Sequence, residues 1–322
     1  MGSLYFDAVH PENVKTYEFP ATGRSASAVI LGLMRIEPLD DEQIRTLVGT
    51  AMDAGVTVFD HADIYGSERH ACEQRFGAAV SFTASQREQV MLQSKVGIRD
   101  GFYDFSTRHI LDTVDESLDA LRTDHLDLLL LHRPDTLVEP DEVAAAFDAL
   151  QSAGKVRAFG VSNHTPGQIE LLTTAVTQPL VANQVQLSIT HAPLIAAGVA
   201  ANIGGLDQSV SRDNGLLDYS RVHGMTLQAW SPFQKGTSDG VFLGDRENYP
   251  ELNDVLDELA AEHGVTPTGI ATAWITRHPA DIQVVLGTTT PSRVAEAAAG
   301  SDVDLTREQW YRIFRAAGHT LP

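Results

Sequence analysis

The chain has 322 residues, and its 23 lysines and arginines are outnumbered by 43 aspartates and glutamates, which gives a net charge of −20. Such a surface repels nucleic acids and anionic membranes, because both require a basic footprint. The sequence contains no run near the ~20 apolar residues of a membrane helix, and its N-terminus lacks a basic segment followed by an apolar core. We therefore expect a cytoplasmic protein, a monomer or small homo-oligomer, with neither nucleic-acid nor membrane partners.

Eight apolar, strand-like runs follow one another along the chain, separated by segments with helical periodicity. The runs are residues 28–32, 56–59, 90–93, 126–131, 156–161, 179–183, 226–230 and 282–286. Ile110 and Val114 fall on one face of one intervening segment, and Val143 and Phe147 on one face of another. Alternating strands and helices predict a parallel sheet, and eight repeats predict a closed (β/α)8 TIM barrel forming a single domain over residues 1–322.

Two segments do not fit a bare barrel. Residues 17–30 have the pattern of a β-hairpin with a turn at 21–23, which we expect to cap the closed N-terminal end of the barrel. Residues 191–214, rich in Gly, Ala and Ser, interrupt the step from the sixth strand to its helix. There we expect a partly mobile insertion.

Four reactive side chains stand where strand-like runs end and loops begin: Asp60, Tyr65, Lys95 and His132. In a parallel barrel the carboxyl ends of the strands converge on one mouth, where the active sites of this fold lie. We therefore expect the four residues to form one site.

The residue types indicate proton transfer. A tyrosine has an ordinary pKa of about 10, and a nearby ammonium such as that of Lys95 lowers it. A buried lysine keeps its proton if a carboxylate pairs with it, and Asp60 is available for that role. His132 can then polarise a substrate oxygen with its imidazole. This combination predicts transfer of a proton onto an oxygen.

Four segments carry a family resemblance in order and spacing. They are 59–66 (FDHADIYG), 73–77 (EQRFG), 154–163 (GKVRAFGVSN) and 229–232 (AWSP). The chain resembles the aldo-keto reductases over nearly its full length, most closely a bacterial subgroup of YdhF-like reductases with short loops. The resemblance implies reduction of a small-molecule aldehyde or ketone, with Tyr65 as the general acid, Lys95 and Asp60 tuning it, and His132 orienting the carbonyl.

Residues after the fifth, sixth and seventh strands are expected to hold a nicotinamide ring. Ser162, Asn163 and Gln184 offer a hydroxyl and amides that can satisfy a carboxamide, and the resemblance implies that they do so. Trp230 ends the seventh strand, where the family usually has an aromatic residue stacked on the nicotinamide.

The remaining cofactor residues follow the seventh and eighth strands. By the resemblance, Ser231 and Phe233 lead backbone amides toward the pyrophosphate. Thr288, Thr289 and Arg293 supply hydroxyls, helix N-terminal amides and a guanidinium, a suitable site for a ribose 2′-phosphate. The expected cofactor is therefore NADPH rather than NADH.

Two functions of other classes stay open. A regulatory module of the same fold, like the β subunits of potassium channels, can bind the cofactor and act mainly through partners. A metal-dependent hydrolase is the other alternative, since Asp60, Asp63 and His132 are ligand types for zinc or manganese. That alternative leaves Tyr65 and Lys95 without a role, and we expect no metal.

Overall fold

The predicted strands form a closed barrel in the computed structural model, which describes residues 14–19, 23–236 and 240–322. Eight parallel strands pair in the order β3-β4-β5-β8-β9-β10-β11-β12, and β12 pairs with β3 to close the ring. Their bounds are β3 Val29–Gly32, β4 Val58–Asp60, β5 Met91–Val96, β8 Leu126–Leu131, β9 Val156–Ser162, β10 Leu180–Gln186, β11 Thr226–Trp230 and β12 Gln283–Leu286. The predicted TIM barrel is thereby confirmed. Two short strands outside the barrel, β6 Ile98–Arg99 and β7 Phe102–Tyr103, form an antiparallel pair between β5 and α4. Barrel strands are covered on both faces, which explains their nearly continuous apolar runs.

Helices surround the barrel, and most of them bury one apolar face against it, whereas α3 buries no side chain and α10 is buried at eight of its ten positions. Those before the sixth barrel strand are α1 Asp41–Asp53, α2 Ala71–Ala79, α3 Ala84–Gln89, α4 Thr107–Leu121, α5 Pro140–Ser152 and α6 Pro166–Leu172. Those after it are α7 Pro193–Val199, α8 Leu216–His223, α9 Pro250–His263, α10 Pro267–Thr276, α11 Pro291–Gly300 and α12 Arg307–Ala316. In α4 the predicted face, including Ile110 and Val114, is buried, and Ser106 caps the first turn by accepting a hydrogen bond from the His109 amide.

A β-hairpin closes the N-terminal end of the barrel, as predicted. Its antiparallel strands are β1 Thr16–Phe19 and β2 Arg24–Ser27. Phe19 packs into the apolar interior of the barrel. Arg24 pairs with Asp127 near the start of β8, which places the hairpin at the closed end. Residues 21 and 22 of the predicted turn lie outside the described residues.

Four glutamines form a hydrogen-bonded chain through the barrel interior. Gln93 and Gln184 each donate to Gln228 Oε1 at 3.1 Å, Gln228 donates to Gln283 Oε1 at 3.1 Å, and Gln283 donates to the Ser27 carbonyl at 2.8 Å. All four side chains are at most 3% exposed. Because each amide finds a partner, this polar chain is tolerated within an apolar interior.

The segment after β10 departs from a simple strand-to-helix step. It contains α7 and a short 3-10 turn at Asp207–Ser209 before α8 begins. The Gln208 side chain exchanges two hydrogen bonds with the Thr320 backbone, at 3.0 and 2.9 Å, so the segment is joined to the C-terminal tail. The predicted interruption is therefore present, and its mobility stays a prediction. Across the described residues, every helix is too short or too polar to cross a membrane.

Candidate active site

The barrel brings the four predicted reactive residues to one mouth. Asp60 ends β4 and Lys95 is the penultimate residue of β5. His132 directly follows β8, and Tyr65 lies in the loop between β4 and α2. All four therefore come from the carboxyl ends of three neighbouring strands, where the active sites of this fold lie.

Lys95 is the centre of the site. Its ammonium donates to Asp60 Oδ1 at 2.6 Å, to the His61 carbonyl at 2.8 Å and to the Tyr65 hydroxyl at 2.9 Å. Three donors thus meet three acceptors, although the residue is only 1% exposed. Burial lowers the pKa of Lys95, but the Asp60 carboxylate and the Tyr65 hydroxyl outweigh burial, so the net pKa is raised. Lys95 therefore carries its positive charge at neutral pH.

The loop after β4 fixes Tyr65 against this ammonium. The Tyr65 amide donates to the Ala62 carbonyl at 3.1 Å, and the Tyr65 carbonyl accepts from Cys72 in α2 at 3.1 Å. Gly66 follows with φ +106°, and a Cβ at that position would lie 2.7 Å from the Cβ of Ala71. The turn that aims Tyr65 into the mouth thus requires glycine.

One electrostatic expectation from the sequence is wrong. Burial raises the pKa of the Tyr65 hydroxyl more than the Lys95 charge lowers it, so the net pKa lies above its ordinary value of 10. The hydroxyl accepts a hydrogen bond from Lys95 and keeps its own proton. Tyr65 therefore stays a protonated donor throughout the neutral pH range.

His132 faces Tyr65 edge-on, with ring centroids 6.1 Å apart and planes at 82°. Burial and the charges of Lys95 and Arg133 hold the pKa of His132 well below its usual value, so the ring is neutral. Its Nδ1 is buried and has no hydrogen-bond partner in the described part of the chain. The other ring nitrogen, Nε2, is therefore the one available to a ligand at the mouth.

Asp60 is also held by two interior glutamines, a role that the sequence did not predict for either of them. Gln184 donates to Asp60 Oδ1 at 3.0 Å, and Gln93 donates to the same oxygen. The carboxylate is thus fixed by the interior glutamine chain as well as by Lys95. The available signal was a polar glutamine inside otherwise apolar strands, as in 91–93 (MLQ) and 226–228 (TLQ).

The residues predicted to hold the nicotinamide are also neighbours. Trp230 at the end of β11 donates from Nε1 to Asn163 Oδ1 at 2.9 Å, and Asn163 Nδ2 donates to Ser162 Oγ at 2.8 Å. Asn163 has φ +61°, a left-handed conformation that asparagine adopts more readily than most residues. Ser162 Oγ donates to the Gln184 carbonyl at 2.8 Å. The four residues surround one side of the mouth next to Asp60.

The residues predicted for the phosphates lie on the following loops. Ser231 and Phe233 continue from Trp230, and Thr288 and Thr289 follow β12. Arg293 is exposed in the first turn of α11, and its charge is unpaired within the described ranges. The structure places this set after the seventh and eighth barrel strands, separate from Tyr65 and His132. Lys235, a basic residue in the loop after β11, pairs with Asp245.

The carboxylate proposed as a metal ligand has a different partner. Asp60 pairs with the Lys95 ammonium, whose nitrogen lies 2.6 Å from Asp60 Oδ1. Within residues 14–19, 23–236 and 240–322, no three histidines, cysteines or acidic residues are grouped as a metal site.

The chain belongs to the aldo/keto reductase family, whose sequence model matches residues 28–317. Oxidoreductase YdhF of Escherichia coli (strain K12) is 37% identical over 313 residues, covering 93% of this chain and 97% of the relative. 6-Dehydroglucose reductase of Agrobacterium fabrum is 32% identical over 304 residues, covering 90% and 94%. The crystal structure of the thermostable aldo-keto reductase Tm1743 has a TM-score of 0.74 at 24% identity, covers 94% of this chain and 99% of that one, and supports the fold. The resemblance seen in the sequence is confirmed, and the family supports an enzyme that reduces carbonyl groups.

Proposed function

We propose that the protein reduces an aldehyde or ketone to an alcohol with NADPH, and that Tyr65 supplies the proton. The observation that carries this proposal is the position of the Lys95 ammonium, 2.6 Å from Asp60 Oδ1 and 2.9 Å from the Tyr65 hydroxyl. An oxygen that gains negative charge beside this hydroxyl meets a proton donor backed by a fixed positive charge.

The residues around the mouth fit a nicotinamide cofactor, whose chemistry when bound is hydride donation to the carbonyl carbon. Gln184 uses its amide nitrogen for Asp60 and Gln228, which leaves its amide oxygen for a carboxamide. The Trp230 ring is fixed at one edge by Asn163 and can stack on an aromatic ligand.

The role of each residue in the site follows from its protonation state. Neutral His132 hydrogen-bonds the substrate oxygen and orients the carbonyl toward Tyr65. The phenol, with its raised pKa, gives up its proton only when the substrate oxygen has become a stronger base. Lys95 lowers the cost of the phenolate that remains, while Asp60 keeps Lys95 charged. Proton delivery is thereby coupled to reduction.

Selection of NADPH over NADH rests on Arg293 and the first turn of α11. Helix N-terminal amides and a guanidinium both stabilise a phosphate. The Thr288 and Thr289 hydroxyls are further donors in the same loop. On a chain with a net charge of −20, a local cation is needed to bind a phosphorylated nucleotide.

The proposal is tested by following NADPH oxidation with a panel of aldehydes, ketones and quinones, with a matched NADH series. We expect carbonyl-dependent oxidation of NADPH and slower oxidation of NADH. A protein that binds NADPH with no turnover on the panel would instead match the regulatory alternative. Loss of this turnover on adding a chelator would show that the reaction requires a metal ion, which the proposal does not include. Cytoplasmic location belongs to the proposal, since the cytoplasm supplies the reduced cofactor.

A further inference from the structure

Arg133 places a positive charge at the mouth beside the candidate active site. It follows His132 directly and is partly buried. Its guanidinium carbon lies 5.8 Å from the centroid of the Trp230 ring. Arg133 lies just after β8 and Trp230 ends β11, three positions further around the barrel, so the arginine reaches across the mouth.

This guanidinium has no acidic partner in the part of the chain that the structure describes. The carboxylate nearest in sequence, Asp135, accepts hydrogen bonds from the amides of Phe105 at 3.2 Å and Leu137 at 2.8 Å. By contrast, Arg87 and Arg157 at the closed end both pair with Asp127. The chain has 20 more acidic than basic groups. Even so, the Arg133 guanidinium is partly buried at the mouth of the barrel without a carboxylate to neutralise it in the described part of the chain.

We propose that Arg133 binds an anionic group on the substrate, so that the preferred substrates are aldehydes or ketones that also carry a carboxylate or a similar acid. This inference rests on the proposed carbonyl reduction. Because Arg133 is bonded to His132 through the backbone, its guanidinium stays within reach of a substrate held by His132. The guanidinium fork matches a carboxylate in two parallel hydrogen bonds, which are stronger than its present contact with an indole face.

The cofactor is the other possible source of the anion. Its phosphates are assigned to the loops after β11 and β12, where Arg293 lies, whereas Arg133 adjoins the residues assigned to the reacting carbonyl. The charge at Arg133 also offsets the repulsion that a net charge of −20 exerts on an acidic substrate. The substrate is therefore the source that the placement favours.

The experiment compares an acid with its neutral ester at the same carbonyl. Values of kcat/KM with NADPH are measured for para-carboxybenzaldehyde and its methyl ester, and for succinic semialdehyde and its methyl ester. The proteins are wild type, Arg133→Met, Arg133→Lys and, as a remote control, Arg307→Met on the exposed surface of α12. The kcat/KM for the acid is divided by that for its ester, so any effect that a substitution has equally on both substrates cancels.

We expect wild type to prefer the acid in at least one pair. Arg133→Met should lower the acid-to-ester ratio by about tenfold to a hundredfold, the effect of losing a charge-assisted hydrogen bond. Arg133→Lys should restore part of the ratio, because lysine keeps the charge but lacks the guanidinium fork, and Arg307→Met should leave the ratio at the wild-type value. An unchanged ratio in Arg133→Met would overturn the inference. So would an equal loss for acid and ester with a raised KM for NADPH, since Arg133 would then contact the cofactor.

A binding measurement tests the anion site independently of whether the protein turns over a carbonyl substrate. The NADP-saturated proteins are titrated calorimetrically with para-(hydroxymethyl)benzoate and its methyl ester. Stronger binding of the acid that depends on Arg133 would support the anion site even if no aldehyde were reduced, in which case the proposed function alone would fail. Equal binding of acid and ester, or acid binding unaffected by Arg133→Met, would reject the anion site.

Discussion

Replacing Asp63 with asparagine should stabilise the protein increasingly as the pH rises. Asp63 is fully buried, and neither carboxyl oxygen has a hydrogen-bond partner of good geometry among the described residues. Arg69 Nη2 is 3.6 Å away. Burial raises the pKa of Asp63 to about 7, and the Arg69 charge and the Ile64 amide offset burial only in part.

The size and sign of the effect follow from this pKa. In the unfolded chain the carboxyl ionises near its ordinary value of 3.8, whereas in the folded protein it stays neutral up to about pH 7. The free energy of unfolding therefore falls as the pH rises through this window, by about 4 kcal/mol for a shift of about three pKa units. Roughly 2.5 kcal/mol of that loss lies between about pH 5 and about pH 8. Asparagine has the same shape and does not titrate, so Asp63→Asn avoids the loss.

Urea unfolding across that pH range provides the assay, with Asp119→Asn on the exposed surface of α4 as the control. The stability difference between Asp63→Asn and wild type should grow by roughly 2.5 kcal/mol from about pH 5 to about pH 8. The stability difference between Asp119→Asn and wild type should stay within about 0.5 kcal/mol over the same range, as is usual for surface substitutions. A difference that does not change with pH for Asp63→Asn would refute the reasoning and would mean that Arg69 pairs with an ionised Asp63.

Two further predictions concern the cofactor. Arg293→Ala should weaken NADPH binding by about tenfold to a hundredfold and leave NADH nearly unchanged, because NADH lacks the 2′-phosphate; equal weakening of both in a binding titration would place Arg293 elsewhere. Trp230→Leu should abolish most of the quenching of tryptophan emission by the oxidised cofactor and raise its Kd, since Trp274 and Trp310 form a separate buried stack with centroids 4.8 Å apart. Undiminished quenching in Trp230→Leu would show that the nicotinamide lies elsewhere.

The sequence predicts the barrel and the meeting of four side chains because both depend on local patterns. Alternating strand and helix signals predict a parallel barrel, and a residue at the carboxyl end of a barrel strand lies at its mouth. Asp60 and Lys95 could therefore be placed together without any knowledge of distances. Ser162 and Trp230 follow from the same argument.

What the sequence does not predict depends on contacts between distant residues. The chain from Gln93 through Gln228 to Gln283 is set by the register of the strands, which periodicity does not specify. The sequence predicts a lowered pKa for Tyr65, because it reveals the nearby Lys95 but not how deeply the hydroxyl is buried. Arg133 becomes informative only when the fold shows that it lacks an acidic partner.

The most direct test of the proposed mechanism is the rate of Tyr65→Phe with NADPH and a carbonyl substrate found in the panel. The substitution removes one hydroxyl and leaves the ring. We expect NADPH affinity within a few-fold of wild type and a kcat lower by at least the ~100-fold typical of general acid catalysis. Tyr219→Phe, which removes a hydroxyl bonded to Glu170 on the outer surface, should retain the wild-type rate. A Tyr65→Phe protein that reduces the carbonyl at close to the wild-type rate would contradict the account.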